Sequence, residues 1–113
     1  MTCLFCSIVA GEIPATIVFQ NDELIAFRDI NPQAPTHVLV IPRAHRETPG
    51  DLGADDEALM GRVVRASAEV ARQEGIADSG YRLIMNAGPD ANQTVPHIHV
   101  HVLGGRAMGW PPG

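Results

Sequence analysis

Along most of the chain, apolar residues fall into short β-rich runs, and only once do they take up a helical repeat. Ile17 to Gln20 and Leu24 to Asp29 flank the polar break Asn21-Asp22-Glu23, which predicts two strands in a hairpin, though without the favoured Asn-Gly pair. His37 to Arg43 is β-branched and apolar and is bracketed by prolines at 32, 35 and 42, so it reads as a third strand. Between Asp55 and Gly75 the positions Met60, Val63, Val64, Val70 and Ala71 recur at helical spacing. Asp55, Asp56 and Glu57 suit the positive N-terminal end of that helix. Tyr81 to Asn86 and His97 to Leu103 are the last two predicted strands, joined by a loop of Gly, Pro, Asp, Asn and Gln. A short helical turn over Cys6 to Ala10 should stop at Gly11, because the Ile13-Pro14 step disfavours helix. Strands joined mainly by short turns, with one long helix, predict an α+β fold with an antiparallel sheet.

Composition narrows the classes of function. The 113 residues, 45% hydrophobic and 19% charged, suit one folded domain spanning residues 1–113, with no repeat and no linker. No apolar run is longer than Val38 to Ile41, so a membrane helix is not expected. Arg28 is the first basic residue, so the N-terminus lacks the charged segment of a secretory signal and the chain reads as cytoplasmic. All eight basic residues are arginine, which excludes a Schiff-base lysine and a lysine P-loop. The net charge of -5 argues against a phosphate-tracking nucleic-acid binder and for a small ligand.

His97, His99 and His101 alternate with Ile98, Val100 and Val102. In a strand this pattern sets three imidazoles on one face, roughly 7 Å apart, with the aliphatics towards the core. A solvated strand face has no need of three histidines, and a metal site at this spacing needs ligands from other elements. A neutral imidazole attacks an electrophile with its own lone pair, whereas a serine or water needs a base. The lack of a carboxylate after Asp90 therefore fits nucleophilic histidine catalysis, with phosphorus as the electrophile. No Gly-x-Ser-x-Gly is present. The preceding loop, Asn86 to Thr94, offers amide, hydroxyl and backbone N–H groups suited to phosphate oxygens, although Gly/Asn loops are often only turns. Cys3-Leu-Phe-Cys6 has the spacing of half a zinc or redox site, and two inert thiols are its bland reading.

Pro96 to Gly105 resembles the His-x-His-x-His signature of the histidine triad superfamily of nucleotide hydrolases and transferases. Ala26 to Ile30, Gln33 to His45, Asn86-Ala-Gly88, Gln93-Thr94-Val95 and the ending Gly104 to Gly113 are similar to its branch of histidine triad nucleotide-binding proteins. The resemblance implies a five-stranded antiparallel sheet with one long and one short N-terminal helix, the sheet continuing across a homodimer, and a purine nucleotide site in each subunit. It implies hydrolysis of adenosine 5'-phosphoramidates or acyl-adenylates, with His99 as nucleophile and His97 and His101 as flanking partners. Asn86, Thr94 and His45 match phosphate or leaving-group positions, Asp29 the ribose, and Phe27 and Ile30 the base. Gln93 and the Trp110 tail belong to the same substrate-binding set.

Asn92 departs from the glycine usual at its position, but asparagine tolerates a left-handed backbone. Some bacterial relatives share the cysteine pair, and by that resemblance Cys3, Cys6, His45 and His97 hold a structural zinc that takes no part in turnover. A histidine ligating zinc cannot also transfer protons. The rival functions are dinucleoside polyphosphate hydrolysis, against which the Trp-Pro-Pro-Gly tail speaks, and noncatalytic nucleotide binding or scaffolding.

Overall fold

The computed structural model describes residues 3–113; Met1 and Thr2 lie outside the described residues. A short helix α1 (Leu4–Val9) leads into strands β1 (Ile17–Gln20), β2 (Leu24–Arg28) and β3 (Thr36–Pro42). The long helix α2 (Glu57–Gln73), β4 (Tyr81–Ile84) and β5 (Val100–Gly104) follow. The strands form one sheet in the order β1-β2-β3-β5-β4, and every adjacent pair is antiparallel. The predicted α+β architecture, with five antiparallel strands, one long helix and one short one, is the observed one. No described helix is long and apolar enough to cross a membrane.

Strand alternation divides the core. Leu24, Ala26, Val38, Val40, Val100 and Val102 face α2, where they meet its buried Val63, Ala66, Val70 and Ala71. Burying each such valine contributes about 1.5–3 kcal/mol. Ser67 sits in the same stripe because its hydroxyl donates to the Val63 carbonyl at 2.8 Å, which leaves no unpaired polar atom. Val64, counted with the helical repeat, is instead 51% exposed, one step off the buried face. Ion pairs from Arg62 to Glu23 and from Arg28 to Glu74 tie the helix to the β-hairpin. The opposite sheet face carries Ile25, Phe27, Leu39 and Ile41, covered by Phe5 of α1.

Two boundaries differ from expectation in ways that matter for function. The first helix begins at Leu4, with Cys3 as its N-cap, so the helix starts between the two cysteines rather than at Cys6. The last strand begins at Val100 rather than His97. The β3–β5 ladder runs from Thr36↔Gly104 to Val40↔Val100 and stops there. Two residues further along, Pro42 has no N–H to give, and its carbonyl accepts from the His97 ring instead. Ile98 N–H turns to the Arg46 carbonyl at 2.7 Å. The chain through His97 and His99 is thus an irregular extension of β5. At its other end, Gly104 has no room for a side chain: a Cβ there would lie 2.5 Å from Ile76 Cδ1.

Candidate active site and metal centre

The histidine-bearing face of the sheet is roofed rather than solvated. His97 and His99 are buried, Phe5 stands edge-on to both (ring centroids 6.0 and 5.0 Å), and His101 is half-buried. Beside this roof lies a cavity of about 280 Å³. Leu4, Phe5 and Ile8 of α1 line it together with Phe27, Leu39 and Val95, which makes a mainly apolar slot. Arg28, Asp29, Thr94, His99 and His101 supply its polar lining, and Ile30 also borders it.

Hydrogen bonds fix the protons on these rings. His99 Nδ1 lies 2.7 Å from the His97 carbonyl, which can only accept, so Nδ1 carries the proton and Nε2 keeps its lone pair. The Gln33 backbone N–H donates to His37 Nδ1 at 3.0 Å, which leaves the proton of a neutral His37 on Nε2. That N–H faces His101 Nδ1 at 2.8 Å, so His101 accepts there and bears its own proton on Nε2. His101 Nε2 is buried and has no hydrogen-bond partner among the described residues. With their centroids 4.9 Å apart, His99 and His101 therefore offer a lone pair and an N–H side by side.

Burial, the largest influence on each, holds His37, His97, His99 and His101 below the usual imidazole pKa and so keeps them neutral at pH 7. His101 is pushed to about 4, because the neighbouring His99 and His37 add to the effect of burial. Asp29 opposes the shift: its Oδ2 is 3.5 Å from His37 Nε2, while its Oδ1 accepts from Asn31 N–H at 2.8 Å.

The other expected site residues divide. Phe27, Asp29, Ile30, Thr94, His99 and His101 come together around the cavity. His97 does not line it. The His97 Nε2–H donates to Pro42, its Nδ1 faces the cysteines, and only its backbone carbonyl serves His99. Gln93 is committed to the loop: its Oε1 accepts from Gly88 N–H, and its amide donates to the carbonyls of Glu47 and Val95. Asn92 adopts the left-handed conformation foreseen for it, at φ 62°. Asn86, half-buried beyond β4, and Trp110, 83% exposed, lie outside the cavity lining.

Sequence reasoning gave His37 no role. Its signal was a lone imidazole at the start of an otherwise apolar buried strand, where the alternation of β3 places it with Leu39 and Ile41.

On the other side of Phe5, Cys3, Cys6, His45 and His97 bring four ligand atoms within 4.8 Å of one another. Bond lengths to zinc of about 2.05 Å from nitrogen and 2.3 Å from sulfur give a tetrahedron with N···N edges of about 3.3 Å and S···N edges of about 3.5 Å. Here His45 Nδ1 and His97 Nδ1 are 3.3 Å apart. The sulfur-to-nitrogen distances are 3.6 Å (Cys3–His97), 3.2 Å (Cys6–His45) and 3.6 Å (Cys6–His97). The bond from His97 Nε2–H to Pro42 leaves the Nδ1 lone pair free for a metal and fixes the ring, as an outer-shell partner should. The two-sulfur, two-nitrogen set fits a closed structural zinc site, with no position left for substrate.

The HIT domain family matches residues 10–108. The purine nucleoside phosphoramidase of Escherichia coli strain K12 is 51% identical over 106 residues, covering 94% of this chain and 89% of the relative. A 14 kDa zinc-binding protein of Zea mays is 47% identical over 112 residues, covering 97% and 87%. The crystal structure of a HIT family hydrolase from Legionella pneumophila Philadelphia 1 superposes with a TM-score of 0.97 at 50% identity, covering 99% of this chain and all of that one. A family match across most of the chain, with relatives this similar end to end, places this protein in the HIT family, in its histidine triad nucleotide-binding branch.

Proposed function

We propose that this protein is a purine nucleoside phosphoramidase, which cleaves adenosine 5'-phosphoramidates or acyl-adenylates through a nucleotidyl-histidine. The observation that carries this reading is the pairing of a free lone pair on His99 Nε2 with an unpartnered N–H on His101, beside an apolar slot. The purine lies between α1 and Phe27, with Ile30 at the mouth. Asp29 takes the ribose hydroxyls and Thr94 the phosphate oxygens, while Asn86, outside the cavity lining, meets the leaving-group side.

His99 Nε2 attacks the α-phosphorus, and the bond from phosphorus to the leaving group breaks. An acyl group departs as carboxylate; an amine needs a proton, which His101 Nε2–H donates. The positive charge that His99 acquires stays close to the His97 carbonyl and, on the amine route, to the His101–His37 pair that has released the proton. Water then attacks the same phosphorus, frees His99 and yields the nucleoside monophosphate; its proton returns to His101 after an amine has left, and passes to solvent after a carboxylate has left, because His101 then still holds its own.

The functional unit is a homodimer in this reading. Strand β4 lies at the edge of the sheet, and its Leu83 is exposed. Arg82 Nη2 donates to the Gly109 carbonyl at 2.8 Å and so holds the tail against the same edge. A second copy on this edge continues the sheet and covers Trp110, which then reaches the nucleotide site of the other copy.

Turnover of an adenosine phosphoramidate measured against a diadenosine polyphosphate tests the assignment. Preference for the phosphoramidate is expected. Preference for the dinucleotide indicates polyphosphate hydrolysis, and tight nucleotide binding without turnover of either indicates a binding module.

A further inference from the structure

The metal cluster and the nucleotide cavity share one wall. Cys3 and Cys6 are the N-cap and the third residue of α1, and the two residues between them, Leu4 and Phe5, line the cavity. A helix of six residues is too short to hold its own shape in water, so what fixes α1 must be its anchorage. On one side that anchorage is the pair of cysteines against His45 and His97. On the other it is Phe5, only 4% exposed, packed edge-on to Phe27 (5.4 Å, 73°) and to His99 (5.0 Å, 89°).

We propose that metal occupancy of the Cys3–Cys6–His45–His97 cluster and nucleotide occupancy of the cavity are coupled through α1, with Phe5 as the positioning residue that carries the coupling. The metal holds the two cysteines in one geometry, and this sets Phe5 as the slot wall and as the stop that keeps the His99 ring in place. Without metal, α1 loses its clamp and nucleotide binding must supply the ordering of the wall. Linkage makes the effect reciprocal: whatever factor the metal adds to nucleotide affinity, nucleotide adds to metal retention.

The inference rests on the nucleotide-site reading above, and three measurements on the full-length protein separate the two. The first is zinc affinity, from equilibrium competition with a chromophoric chelator, with and without saturating adenosine monophosphate. Tightening by about fivefold or more is expected; an unchanged affinity overturns the proposal. The second is the Kd for adenosine monophosphate, by calorimetry, before and after chelator treatment. The stripped protein should bind several-fold more weakly, and equal affinity overturns the coupling. No binding in the loaded state overturns the nucleotide reading itself.

The third uses Phe5→Ala, with Phe5→Leu as the milder change should the alanine variant fail to fold. Each should retain stoichiometric zinc, yet nucleotide should protect that zinc less than in the parent, and KM should rise more than kcat falls. Protection equal to the parent's removes Phe5 from the pathway. Phe5→Tyr, which keeps the ring edge on His99, should restore it.

Discussion

His99 donates its Nδ1–H to the backbone carbonyl of His97 at 2.7 Å, so the residue whose ring faces the metal cluster is also the one that sets the tautomer of its neighbour. Alternation along a strand suggests three equivalent imidazoles. The structure separates them into a cysteine-facing ring with a tautomer-fixing carbonyl, a ring with a free lone pair, and a ring with a free N–H. Each role follows from a different partner: Pro42 and the cysteines for His97, the His97 carbonyl for His99, and His37 for His101.

The first prediction concerns His37, which does not line the cavity but touches His101 and Asp29, which do. His37→Ala removes the N–H that holds His101 Nδ1 as an acceptor, so its ring can reverse its tautomer. Turnover should fall by roughly tenfold to a hundredfold, less than the ~10²–10⁴-fold that a general acid itself supplies because His101 is still present, while KM changes little. Steady-state kinetics check this; a rise in KM at constant kcat contradicts it.

Acid sensitivity is the second. Burial and two neighbouring imidazoles hold His101 at about 4, and a proton added there must go on Nδ1, at the cost of the His37 bond. Because the shift is downward, the neutral, active form persists below the ordinary imidazole value of about 6.5 and is lost only as pH falls towards 4. The acid limb of kcat/KM should therefore lie clearly below 6.5. A limb at or above 6.5, with the fold intact by circular dichroism, contradicts the arrangement.

Metal supplies the third. Protein purified under reducing conditions without chelator should carry near-stoichiometric zinc. Cys3→Ala should lose it and lower Tm by about 10 °C or more, because metal bound only to the native state adds its binding energy to folding. Under saturating substrate its kcat should change far less. Full stability in metal-free parent protein contradicts a structural role.

The fourth concerns assembly. Sedimentation at micromolar concentration should give twice the 12.1 kDa of one chain, and truncation after Met108 should alter assembly or substrate preference. A monomer, or a truncation without either effect, contradicts the covering of Trp110.

How far these features could be read from the chain depended on how local their causes are. Ile17–Gln20 was bounded correctly because its apolar run ends at a polar break, and Gly75, at φ 77°, closes the long helix where expected. The start of α1 was misplaced because Cys3 caps it through a sulfur, a weak acceptor that capping rules pass over. The early break of the last strand was hidden because its cause, Pro42, sits 55 residues away from His97. The placement of His99 and His101 on the cavity was legible from alternation, and that of Phe27, Asp29 and Thr94 from the family resemblance. His37 was not, because its meaning lies in a contact with His101 across 64 residues. The engagement of Gln93 by Glu47 is likewise invisible until the loop meets the turn after β3.

The central claim is that His99 Nε2 bonds to phosphorus. Quenching the wild-type protein during turnover of a labelled adenylate and mapping the label by mass spectrometry tests it directly. Nucleotide should be found on His99, and His99→Asn should bind adenosine monophosphate and retain zinc yet lose on the order of a thousandfold or more in turnover. Label on any other residue, or near-normal turnover in His99→Asn, contradicts the account.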